Sequence, residues 1–181
     1  MAKFKFKITV IGDGVVGKTS LIKKFTKGSF QKEYIKTIGA QFSKFNQEID
    51  GDQCELVFWD IAGQDEFHFL RPSFYRSSVA SIVVFSLEEN NYGKETFKHA
   101  GSWVKEIKKF CGDIPMALFG NKVDLVDESK LDDEKILKFV KKHDITGYYR
   151  TSAKTGQNVE NAFKTIITDL HNKVKSPALI E

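Results

Sequence analysis

The chemistry in this chain begins at Gly12-Asp13-Gly14-Val15-Val16-Gly17-Lys18-Thr19, a run that fits G-x-x-x-x-G-K-[ST]. Glycines let backbone N–H groups wrap an anion, and a helix N-terminus adds its positive dipole end. Lys18 can reach terminal phosphates and the Thr19 hydroxyl can ligate Mg²⁺. Together these groups suit the phosphates of a nucleoside triphosphate. Asp60-Ile61-Ala62-Gly63-Gln64 contributes a carboxylate fit for a Mg²⁺ shell and a glycine amide. Asn121-Lys122-Val123-Asp124 and Thr151-Ser152-Ala153-Lys154 bring further polar groups. Each of the last three is a common string, so their value depends on what positions them.

The flanking periodicity supplies the positions. Phe4, Phe6, Ile8 and Val10 alternate with polar residues and lead into an apolar run ending at Ile11, which predicts a strand entering a buried sheet. Leu21, Ile22 and Phe25 recur at helical spacing over Lys18 to Lys27, so the glycine loop lies between a strand and a helix. Residues 40–49 and 53–59 are strand-like runs joined by Asp50-Gly51, a strong hairpin signal. Val79–Leu87, Ile114–Gly120 and Tyr148–Thr151 are three further strands. Phe97, Ala100, Val104, Ile107 and Cys111 form one helical stripe, and Ile136, Val140 and His143 another. Val159, Phe163, Ile166, Leu170 and Val174 mark a last helix, with Asn158 as its expected N-cap. This order predicts an α/β fold: a six-stranded, mostly parallel sheet with one antiparallel strand and helices on both faces. Asp60, Asn121 and Thr151 then fall at strand ends, where open α/β sheets bind ligands.

Composition limits the alternatives. A chain of 181 residues with 41% apolar and 13% aromatic content can bury one sizeable core, which excludes disorder and collagen-like architecture. The net charge of +4 is far from the dense basic patch of a nucleic-acid binder. Cys54 and Cys111 have no partner at metal or disulfide-framework spacing, which suits a reducing, cytoplasmic setting. No run reads as a signal peptide or a membrane span, Ala2 stands where myristoylation needs Gly, and no prenylatable Cys is present; no intrinsic lipid anchor is visible. His68, His99, His143 and His171 are scattered singly and read as neither metal ligands nor general bases. Lys105, Lys108, Lys109, Lys138, Lys141 and Lys142 read as solvated helix faces, and Asp132, Asp133 and Glu134 as helix-start chemistry.

The phosphate loop, Thr37, the segment at 60–64 and the two polar tetrapeptides, in this order, resemble the five nucleotide-binding motifs of Ras-superfamily small GTPases over nearly the whole chain. The Rab-like branch is the nearest, on Thr37-Ile38-Gly39, Trp59-Asp60 and the aromatic residues Phe42, Trp59 and Phe74, which resemble an effector-facing triad or else pack in the core. The resemblance implies a P-loop NTPase G domain over 1–176 with a short tail over 177–181. It implies a GTP/GDP switch with Mg²⁺ that hydrolyses GTP slowly, in vesicle trafficking or membrane-related regulation. Nucleotide contacts are expected from Asp13, Gly14, Val15, Val16, Gly17, Lys18, Thr19, Ser20, Phe30, Tyr34, Thr37, Gly63, Asn121, Lys122, Asp124, Ser152, Ala153 and Lys154. Mg²⁺ falls to Thr19, Thr37 and Asp60, and catalysis to Gln64, Lys18 and Thr37.

In these roles Asp124 accepts from the guanine N1–H and exocyclic amine, Asn121 braces the loops and Lys122 lays its stem on the ring. The Ala153 amide meets the guanine oxygen, Phe30 covers the base and Gln64 orients water. Segments around 30–39 and 62–76 become switches for an exchange factor, an activating protein and effectors. The chain is expected to be a monomer that reaches membranes through a partner or a removed prenylated tail.

Where heterotrimeric G-protein α subunits place an arginine finger this chain has Tyr34, so turnover is expected on the order of 10⁻³ s⁻¹ or less without a partner. Gln41, Ile61 and Ser86 depart from the family pattern, and Glu88–Thr96 is longer than in typical Rabs, which would enlarge a surface loop outside the motifs. Arg71 and Arg76 read as switch-surface salt bridges or partner contacts. Two other functions compete: a nucleotide-bound scaffold that does not cycle, suggested by Ile61 and the missing arginine, and a phosphoryl-transferring P-loop kinase.

Overall fold

The computed structural model describes residues 1–30, 38–63 and 65–175. Strands β1 (Lys3–Ile11), β2 (Ala40–Ile49), β3 (Asp52–Ile61), β4 (Ala80–Ser86), β5 (Met116–Asn121) and β6 (Gly147–Arg150) form one sheet in the order β2-β3-β1-β4-β5-β6. Only the β2–β3 pair is antiparallel. Asp50 (φ 48°) and Gly51 (φ 78°) are both left-handed, the geometry of a tight hairpin turn, and they set the register with Ile49 opposite Asp52.

Helices α1 (Lys18–Lys27), α2 (Arg71–Tyr75), α3 (Asn91–Cys111), α4 (Glu134–His143) and α5 (Val159–Lys175) cover the sheet. Because strand side chains alternate, Ile82 and Val84 of β4 join one core while Val83 and Phe85 join the other. On the first face Phe163 of α5 stacks on Phe25 of α1 at 4.6 Å and meets Phe58 and Phe119 edge-on at 5.3 Å each. Fully burying one such ring stabilises the fold by about 1.5–3 kcal/mol. On the second face Ala100, Val104 and Ile107 of α3 pack with Leu118 and Ile136.

Two expectations about α5 are corrected. Val174 is half exposed, because the helix's last turn runs past the apolar core, whose final member there is Leu170. Asn158 does not act as a side-chain N-cap: it is left-handed (φ 55°), and its amide donates instead to the Arg150 carbonyl. The far end of the sheet is closed by Asp52, which accepts from the Ala2 amide (2.8 Å), buried His171 (3.1 Å) and Lys175 (2.6 Å). These donors, Lys175 foremost, hold its carboxyl well below the usual range. All of this places the carboxyl ends of β1, β3, β5 and β6 together on the opposite edge.

Candidate nucleotide site

The strand order turns outward in both directions from β1, and the glycine loop leaves its carboxyl end, the expected ligand crevice of such a sheet. The loop closes at Gly17 (φ 103°), where an added Cβ would lie 2.3 Å from the Asn121 amide nitrogen. Helix α1 then starts with no side-chain cap and no acidic residue in its first turn, so its free N–H groups and dipole face the loop. Ser20 lies in that same turn, beside Thr19. Lys18 is almost fully buried and folds back to donate to the carbonyls of Gly12 (2.8 Å) and Asp13 (2.7 Å). Burial lowers its pKa to about 8 against the opposing pull of Asp60 and Asp13.

Thr19 Oγ1 donates to Asp60 Oδ2, a buried carboxylate at the end of β3. A hydroxyl and a carboxylate oxygen brought together at the phosphate loop are hard donors that fit Mg²⁺, which when bound would draw charge off the phosphoryl oxygens. Gly63 follows: a Cβ there would fall 2.2 Å from the Gly12 carbonyl oxygen, so its backbone lies directly against the phosphate loop.

The two polar tetrapeptides stand at the carboxyl ends of β5 and β6. Asn121 Nδ2 donates to the Val16 carbonyl (2.8 Å) and its Oδ1 accepts from the Ala153 amide (3.1 Å), so one buried side chain ties the phosphate loop to the 151–154 segment. Asp124 accepts from Ser152 Oγ (2.6 Å), and Lys154 stands 3.8 Å from its other oxygen, which aims the carboxylate. Phe30 lies exposed just past α1. Tyr34, Thr37 and Gln64 lie outside the described residues.

Other residues that the periodicity argument passes over also reach the site. Asp13 accepts from Trp103 Nε1 at 2.7 Å and contacts His99 Nδ1 at 2.6 Å. Arg71 stacks on Trp103 at 4.3 Å and pairs with Glu106, an intramolecular salt bridge from α2 to α3. Glu88 pairs with Lys122 at 2.6 Å and accepts from Ser86 Oγ at 2.8 Å, and these contacts hold its carboxyl below its ordinary value. Tyr92 donates to the Gly14 carbonyl. The 88–96 stretch is therefore not a surface loop outside the motifs: it begins α3 at Asn91 and meets both the phosphate loop and Lys122.

A family model described as "Ras family" matches residues 7–172. The chain belongs to the Ras family. It is 34% identical over 166 residues to "Ras-related protein Rab-13" of Canis lupus familiaris, covering 91% of this chain and 79% of that protein. It is 35% identical over 177 residues to "Ras-related protein Rab-18-B" of Danio rerio, covering 97% and 82% respectively. This Rab-like GTPase is a GTP-binding switch that hydrolyses GTP, and its ligands are GTP or GDP with Mg²⁺.

For a Ras-family site, Lys18 sets a pH dependence. A phosphate held by Lys18 would bind the ammonium form, so nucleotide there would raise the lysine's pKa. Below about pH 8 the free protein already carries that proton; above it, binding must take one up. GDP affinity is expected to be flat from about pH 6.5 to 7.5 and to fall toward tenfold per unit above about pH 8. Titrations of labelled GDP up to about pH 9 check this, and a flat profile contradicts it.

Proposed function

We propose that this GTPase is one G domain over 1–176, working in vesicle traffic. The convergence of Lys18, Thr19 and Asp60 with Asn121, Asp124 and Ala153 on one sheet edge carries this reading. In it, Lys18 and the phosphate-loop amides hold the phosphates and stabilise the charge that develops on the transferring phosphoryl. Thr19, Asp60 and Thr37 hold Mg²⁺, and Gln64 orients the attacking water. Asp124 reads the guanine edge while Lys122, Ala153 and Phe30 enclose the ring. Thr37 and Gly63 feel the γ-phosphate, so 30–39 and 62–76 change on hydrolysis. No helix among the described residues is long and apolar enough to cross a membrane.

Phe42, Trp59 and Phe74 form a contiguous row with ring centroids 6.0 Å apart, and Phe42 is 64% exposed rather than buried in a core. That row suits an effector read out beside the switches. The test compares proteins retained by GTP-loaded and GDP-loaded forms. Retention by the GTP form alone is expected, with Phe42→Ala lowering it about tenfold or more. Equal retention in both nucleotide states contradicts the switch reading.

A further inference from the structure

Three residues of α3, Tyr92, His99 and Trp103, stand at i, i+7 and i+11, one helix face, and all three contact the phosphate loop. His99 and Trp103 hold the Asp13 carboxylate. Tyr92 holds the next residue by its backbone, donating its hydroxyl to the Gly14 carbonyl. In a trans peptide the carbonyl and the following N–H point in opposite directions. Fixing the Gly14 carbonyl toward Tyr92 therefore turns the Val15 N–H away from Tyr92, which leaves it free for a phosphate held on the other side of the loop.

That peptide needs holding. Val15 sits at φ 66°, left-handed and β-branched, a conformation that valine adopts only when its surroundings impose it. Its side chain is half exposed, so core packing does not impose it. Tyr92 is itself positioned: Asn90 caps α3 by accepting from the Gly93 amide, and Lys122, paired with Glu88, stands 5.5 Å from the Tyr92 ring. An added Cβ on Gly93 would fall 1.9 Å from the Glu88 carbonyl oxygen, so the chain packs tightly on itself where Tyr92 begins.

We infer that Tyr92 is a positioning residue that keeps the Gly14–Val15 peptide in its phosphate-donating orientation against the conformational preference of Val15, and so slows nucleotide release. The inference rests on the reading that this loop holds the nucleotide's phosphates. The hydroxyl's effect should therefore depend on the side chain at position 15, because glycine takes this φ without strain.

The experiment measures release of fluorescent GDP from the full chain with Mg²⁺ present, for wild type, Tyr92→Phe, Val15→Gly and the double variant. Losing one hydrogen bond to a loop carbonyl is expected to speed release about 3- to 10-fold with Val15 in place and less than about 2-fold in the Val15→Gly background. Unchanged release by Tyr92→Phe overturns the inference, and so does an equal acceleration in both backgrounds, which would place the hydroxyl's effect elsewhere. A wild type that retains no GDP overturns the site reading itself, a different result from either.

Discussion

Asp124→Asn is expected to lower GTP affinity by about 10²- to 10³-fold while gaining binding of xanthine nucleotides. A carboxylate is acceptor-only and matches the two donors on the guanine edge, N1–H and the exocyclic amine. The amide offers one acceptor and one donor, so one hydrogen bond is lost and the donor faces the exocyclic amine. Charge-assisted bonds contribute about 1.5–3 kcal/mol and an orphaned group costs about 1–3 more, and the stated range is the lower half of their sum. Xanthine carries a carbonyl where guanine has the amine, so the same amide finds a partner. Ser152 can still donate to the amide oxygen, so the side chain keeps its aim and the change is one of specificity. Competition of labelled GDP by GTP and by xanthosine triphosphate checks it; an unchanged ratio removes Asp124 from base selection.

The second large effect is on Asn121. Its amide spans from the Val16 carbonyl to the Ala153 amide and also takes the Thr151 hydroxyl at 3.4 Å, all in a buried setting. Asn121→Ala removes the link between phosphate side and base side and leaves two backbone groups without a partner, each costing about 1–3 kcal/mol. GDP release is expected to accelerate about 10²-fold, well beyond the effect of the Tyr92 hydroxyl. The loss should fall on nucleotide retention more than on the fold, since neither hydrophobic core loses a side chain. Stopped-flow release beside a chemical unfolding curve separates the two, and a large drop in unfolding free energy with unchanged release contradicts this account.

Much of this arrangement is legible in the sequence alone. The span of α1 follows from Leu21, Ile22 and Phe25 at helical spacing after the glycine loop, and the β2–β3 pairing follows from Asp50-Gly51, because both depend on local chemistry. Placing Asp60, Asn121 and Thr151 at strand ends is enough to bring the motifs together. What periodicity cannot show lies on α3. Its apolar stripe is visible, but Tyr92 and His99 sit outside that stripe, buried Trp103 sits at its edge, and their partners at Gly14 and Asp13 are far away in sequence. A hydrogen bond between a helix edge and a distant loop leaves no period. His99 for that reason looks like any other single histidine until the fold brings it to Asp13. The aromatic row is also ambiguous in sequence, since an alternating strand buries one face and exposes the other, and only the fold puts Phe42 on the outside.

Lys18 and Asp124 together, at one edge of this sheet, are proposed to make the site selective for guanine nucleotide. Displacement of labelled GDP by GTP and by ATP, in the presence of Mg²⁺, tests it most directly. GTP is expected to displace the label at nearly stoichiometric concentration and ATP to fail at a concentration at least about 10³-fold higher, because adenine lacks the donors that Asp124 would accept from. Equal displacement by ATP would contradict it.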